Sequence, residues 1–111
     1  MLSEEEYVRL AQKELAALMS ALDALEHDDL QAELENDIIT IDFAAGTPYV
    51  INSHRAARQI WMAADHTAWH FDFEPAKNSW IAHKTGEELW ATLSQSLRQR
   101  LGASSFALTP Q

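Results

Sequence analysis

Apolar residues recur at threes and fours over residues 3–25, where Tyr7, Leu10, Ala11, Leu15, Leu18, Leu22 and Leu25 fall on one stripe. Arg9, Gln12, Lys13, Ser20, Asp23 and Glu26 fall on the other side, so the segment has the period of an amphipathic helix. Ser3 and Glu6 have capping-box spacing, and Glu4, Glu5 and Glu6 suit the positive end of a helix dipole. After His27-Asp28-Asp29 the period changes to two. Residues 30–35 alternate Leu30, Ala32 and Leu34 with Gln31, Glu33 and Glu35, which predicts a strand with an acidic outer face. Asn36-Asp37 tolerates positive φ and predicts a two-residue turn. Residues 38–43 follow as a β-branched strand alternating Ile39, Ile41 and Phe43 with Thr40 and Asp42.

Turn chemistry at Ala45-Gly46-Thr47-Pro48 leads to a third strand at 49–52 and a polar connection at 53–58. In the fourth strand, 59–63, Ile60 and Met62 share one face while Gln59, Trp61 and Ala63 share the other. A loop at 65–67 precedes Trp69-His70-Phe71-Asp72-Phe73, whose three aromatics take one face and His70 and Asp72 the other. Pro75-Ala76-Lys77-Asn78 turns the chain into a last strand at 79–83, in which Trp80 and Ile81 oppose each other and the pattern does not choose between them. Thr85 and Glu88 have capping-box spacing and predict the start of a second helix, with Leu89, Trp90, Leu93, Leu97 and Leu101 on its apolar side and Gly102 at its end. Residues 103–111 form a tail whose Phe106 and Leu108 are expected to tuck against the helices.

The order helix, about six short strands, helix predicts an antiparallel meander in an α+β, two-layer sandwich. Two terminal helices with one apolar stripe each cover one sheet face and leave the other wet. Alone, the pattern of strand four allows Trp61 to be core or surface; the layer argument sends Ile60 and Met62 to the helices and Trp61, Gln59, His70 and Asp72 outward.

At 111 residues the chain is expected to be a single domain over 1–111, and its 47% hydrophobic and 23% charged content is that of a globular protein. Seventeen acids against eight Lys plus Arg give −9, which argues against nucleic acid or an anionic membrane and favours cations or a basic partner. Without cysteine, disulfides, zinc ribbons and thiolate chemistry are excluded. An acidic start and the lack of a long apolar run lead us to expect a soluble cytoplasmic protein.

The densest chemical feature is acidic: Asp23, Glu26, Asp28, Asp29, Glu33 and Glu35, with Asp37 beyond. Repulsion among such carboxylates is relieved by a hard, oxygen-preferring cation, although a solvated edge has the same composition. Five histidines are scattered. His66 and His70 are four apart but not on a helix, so the spacing is no ligand signal. His27 adjoins the acids, and His54 and His70 lie near or on the outer face beside Trp61. His70 with Asp72 lacks a nucleophile and an enclosed pocket, and no phosphate loop, nucleophile elbow or zinc-protease helix is present.

Asn52, Gln59-Ile60-Trp61-Met62-Ala63, His70-Phe71-Asp72-Phe73, Trp80-Ile81, Gly86-Glu87 and Leu89-Trp90 together resemble the frataxin family, specifically its bacterial CyaY group, from about Tyr7 to Leu101. The resemblance implies an iron-binding protein of iron–sulfur cluster assembly, acting as iron donor or as regulator of the cysteine desulfurase and scaffold complex. By position it assigns Fe(II) and Fe(III) to Asp23, Glu26, Asp28, Asp29 and Glu33, and partner contact to Asn52, Gln59 and Trp61, with His70 on the same face. It implies no catalytic residues; a ferroxidase and a metal-independent adaptor are the competing functions. It also implies a monomer, with iron-dependent oligomers as a further state. The sequence departs from the family at Ala56 and Ala57, where many members have a proline, and Ala24, Leu30, Gln31 and Ala32 interrupt the acidic run.

Overall fold

The computed structural model describes residues 2–102, 108 and 109. Helix α1 (Glu4–Leu25) is followed by strands β1 (Leu30–Glu35), β2 (Ile38–Phe43), β3 (Tyr49–His54), β4 (Gln59–Ala64), β5 (Thr67–Glu74), β6 (Ser79–Ala82) and β7 (Glu87–Glu88), then helix α2 (Leu89–Leu101). The strands form one antiparallel sheet in chain order, β1 to β7. Among the described residues no helix is long and apolar enough to cross a membrane.

Local chemistry explains the boundaries. Glu6 N donates to Ser3 Oγ at 3.1 Å and Ser3 N donates to Glu6 Oε1 at 3.2 Å, completing the capping box of α1. Asn36 and Asp37 both adopt left-handed φ, at 53° and 62°, the conformation a tight β1–β2 hairpin needs. On the inner face Ile39, Ile41, Tyr49, Ile51, Ile60, Met62 and Phe71 are buried beneath Tyr7, Leu15, Leu18 and Leu22 of α1 and Leu89, Leu93 and Leu97 of α2. Trp80 resolves the ambiguity of its strand: it pairs with Phe73, takes the inner face and is 2% exposed. Its ring meets Tyr7 edge-on at 6.1 Å and Phe73 at 5.4 Å. The Tyr7 hydroxyl donates to the Gln59 carbonyl at 2.7 Å, fastening α1 to β4.

Arg100 fastens the far end of α2. Its Nη1 donates to Asp65 Oδ1 at 2.8 Å and its Nη2 to the carbonyls of Thr47 at 2.6 Å and Ala45 at 3.2 Å. The guanidinium lies over the Phe43 ring, 4.3 Å from its centroid. Gly46, at φ 92°, has the guanidinium where a Cβ would project, so the β2–β3 turn requires its lack of a side chain. Leu108 is buried, and its backbone N donates to Ser94 Oγ at 2.9 Å, as expected for the tail; Phe106 lies outside the described residues.

Three expectations need amendment. The sheet has seven strands rather than about six, because Glu87 and Glu88 pair with Ala82 and Ile81. Two residues are too few to register as alternation. For the same reason α2 begins at Leu89, and its cap is Glu88, whose carboxylate accepts from Trp90 N at 2.9 Å and Ala91 N at 3.0 Å. Thr85 Oγ1 instead accepts from Glu87 N, within the β6–β7 turn. Finally, β3 continues past Asn52 to His54, since His54 still has Gln59 opposite it.

Candidate functional site: an uncovered sheet face and its acidic edge

Cross-strand partners share a face, so the register lays out the outer surface in rows. The central row is Glu35, Ile38, Asn52, Trp61, His70. On one side lies Glu33, Thr40, Val50, Ala63, Ala68, and on the other His54, Gln59, Asp72, Ile81, Glu88. Both helices cover the opposite face, so this surface is wet, and Ile38 is 43% exposed upon it. Small side chains at Ala63 and Ala68 keep it flat, while the edge strand contributes Glu33 and Glu35.

Trp61 is half-buried although no helix reaches it. The cover comes from two imidazoles. His54 stacks on one side with centroids 3.7 Å apart and planes 12° apart. His70 stacks at 4.2 Å and 15°. Within its plane the indole is held by a hydrogen bond from Nε1 to Gln59 Oε1 at 2.7 Å. Gln59 is oriented in turn by Asp72, whose Oδ1 accepts from Gln59 Nε2 at 3.1 Å. Asn52 Nδ2 donates to the Ser53 carbonyl at 3.0 Å. Asn52, Trp61 and His70 thus share one row, with Gln59 in the next. Sequence reasoning missed two parts of this assembly, the stacking of His54 and the orienting role of Asp72. The register was the signal for both: His54, Gln59 and Asp72 stand directly opposite one another.

The carboxylates take a different arrangement. Asp23 is exposed on the last turn of α1, and Glu26 is its left-handed C-cap at φ 49°. Asp28 and Asp29 are exposed in the turn that follows, and Glu33 is exposed on β1, outward like Glu35. These positions wrap the end of α1 and the free edge of the sheet rather than one plane. None of the five carboxylates forms an ion pair with another described residue. Nor, among those residues, do any three His, Asp or Glu side chains converge as a preformed metal-holding group. His27 Nδ1 accepts from Asp29 N at 3.1 Å, which occupies that nitrogen as an acceptor.

A cleft of about 520 Å³ lies elsewhere, between α1 and the β6–α2 end, bordered by Glu14, Phe73, Trp80, Glu88 and Trp90. Burial pushes the Glu14 carboxyl above its ordinary value, with a hydrogen bond from Trp90 opposing and the Glu88 charge adding to the rise.

The same architecture occurs in proteins of known family. The frataxin from Psychromonas ingrahamii, studied for stability modulation within the CyaY protein family, superposes with a TM-score of 0.82 over 96% of each chain at 20% identity. Yeast frataxin superposes with a TM-score of 0.74 at 27% identity, over 94% of this chain and 87% of its own. Residues 1–103 match the family model of the frataxin-like domain, and with its two helices on an antiparallel sheet the chain belongs to the frataxin family.

Proposed function

We propose that the protein is a non-catalytic, iron-binding and partner-binding component of iron–sulfur cluster assembly in the cytoplasm, acting as a single domain over residues 1–111. Family membership supports the cluster-assembly role. The observation that carries the reading is that exposed carboxylates on α1, its following turn and the edge strand, with no ion pair among the described residues, adjoin a broad sheet face that no helix covers.

Asp23, Glu26, Asp28, Asp29 and Glu33 hold iron as cargo. Their oxygens suit a hard cation, and binding relieves the repulsion among them. Because they are solvated and not convergent, binding is weak and release is easy, as a donor or a regulator requires. The same charges attract a basic surface on the cysteine desulfurase, while Asn52, Gln59, Trp61 and His70 form the sheet-face contact with the desulfurase or scaffold protein.

A desulfurase-dependent cluster-assembly assay, run with and without this protein and ferrous iron, tests the proposal. The protein is expected to change the assembly rate in an iron-dependent manner. A variant with Asp23, Glu26, Asp28 and Asp29 replaced by Asn or Gln is expected to lose most of the effect and most of its iron binding by calorimetry. An unchanged iron titration in that variant would remove the carboxylates from the site, and an unchanged assembly rate with the parent protein would overturn the function.

A further inference from the structure

An exposed tryptophan commonly offers a partner one of its flat sides. Trp61 has neither to offer: His54 lies on one and His70 on the other, nearly parallel, and the indole N–H is spent on Gln59. The three rings come from three successive strands, β3, β4 and β5, so the stack is built into the sheet rather than into a loop. His54 Nδ1 is buried without a hydrogen-bond partner among the described residues. Burying an unpaired polar atom is costly, so His54 is held against the indole despite a penalty that packing alone would avoid.

From this geometry we infer that His54 and His70 are positioning residues: they clamp Trp61 in one orientation before any partner arrives, so that docking meets the edge of the stack. The inference rests on the sheet-face contact proposed above and deepens it. A free surface tryptophan must lose rotamer freedom on binding, whereas a clamped one has lost it already, and the saving appears as affinity. The clamp also fixes which atoms meet a partner. The outer rim of three parallel rings, flanked by the Gln59–Asp72 pair, favours a flat apolar surface with hydrogen-bonding groups at its margin over a pocket that swallows an indole.

Two measurements on the full chain test this. In the first, the indole N–H signal of Trp61 is followed by NMR in the free protein, identified by its loss in Trp61→Phe. The His54→Ala/His70→Ala double variant should move that signal towards the shift of an unstacked indole and lower its order parameter. The His54→Phe/His70→Phe variant should restore the order. An indole equally ordered in the alanine variant would overturn the clamp, whatever any partner does.

In the second measurement, cysteine desulfurase or scaffold protein is titrated. The alanine variant should bind roughly three- to tenfold more weakly, the range expected for re-immobilising one large side chain, and the phenylalanine variant should recover most of the loss. Failure of phenylalanine to recover binding, with the indole order restored, would show that the imidazoles contribute through their own polar groups rather than by holding Trp61, and overturn the positioning role. Absence of binding by the parent protein to either partner would defeat the proposed function, while the NMR result would still decide the clamp.

Discussion

The indole N–H of Trp90 donates to Glu14 Oε2 across 3.1 Å, tying the first turn of α2 to the middle of α1. Burial is the main influence on that carboxyl and holds it above its ordinary value. A carboxyl raised in this way binds more protons folded than unfolded between its ordinary and raised values. Its contribution is therefore complete below that interval and declines as pH rises through it. Glu14→Gln keeps an acceptor for the indole and removes the charge. We expect its stability relative to the parent protein to be higher near pH 7 than near pH 4, as read from urea midpoints. The same difference at both values would show that the carboxyl titrates alike in the folded and unfolded chain.

Trp80 and Trp61 stand on opposite faces and should respond unequally to truncation. Trp80 is enclosed by Tyr7 and Phe73, and its replacement by alanine is expected to cost about 3–5 kcal/mol. Trp61→Ala removes two ring stacks on a wet surface and should cost about 1–2 kcal/mol while weakening partner binding. Chemical denaturation of the two variants makes the comparison. Similar losses would mean that Trp61 supports the fold as a core residue does.

Arg100 joins three elements through its guanidinium, and its side chain is only 15% exposed. Arg100→Ala should destabilise the protein by about 2 kcal/mol, after allowance for screening at the half-exposed Asp65. Arg100→Lys should recover less than half of this, because a compact ammonium cannot span Asp65 and the Thr47 carbonyl together. Thermal melts of the two variants provide the check, and full recovery by lysine would mean that charge alone matters.

At the start of α2 the two candidate caps can be separated directly. Glu88→Ala should cost about 1 kcal/mol, since it frees the N–H groups of Trp90 and Ala91, whereas Thr85→Ala should cost less. The reverse order in denaturation midpoints would restore Thr85 as the helix cap.

Much of this architecture could be read from residue patterns because each strand from β1 to β6 is long enough to alternate. Ile39 and Ile41, or Phe71 and Phe73, announce an inner face without any knowledge of their neighbours. Ser3 and Glu6 announced the first helix equally well, since both partners of a capping box lie within one turn. Glu88 was harder to read because it serves as strand residue and cap at once, and each signal obscures the other. Trp80 and Ile81 could be distinguished only by the strand beside them. The stack around Trp61 joins residues 54, 61 and 70, whose proximity depends on two registers that no local pattern encodes. The carboxylates were legible as an acidic cluster from composition, but their wrapping of an edge follows from the left-handed Glu26 cap and the turn after it.

The straight rows of the outer face make the identity of each surface a matter of parity. Removing or adding one residue inside Gln59–Ala64 would exchange odd for even from that point on, turning the indole under the helices and bringing Ile60 or Met62 into water. Length changes in this part of the chain are therefore tolerable only in the turns, such as the one at Asp65 and His66, and not within the strands. The surface is encoded by the count between turns as firmly as by the residues themselves.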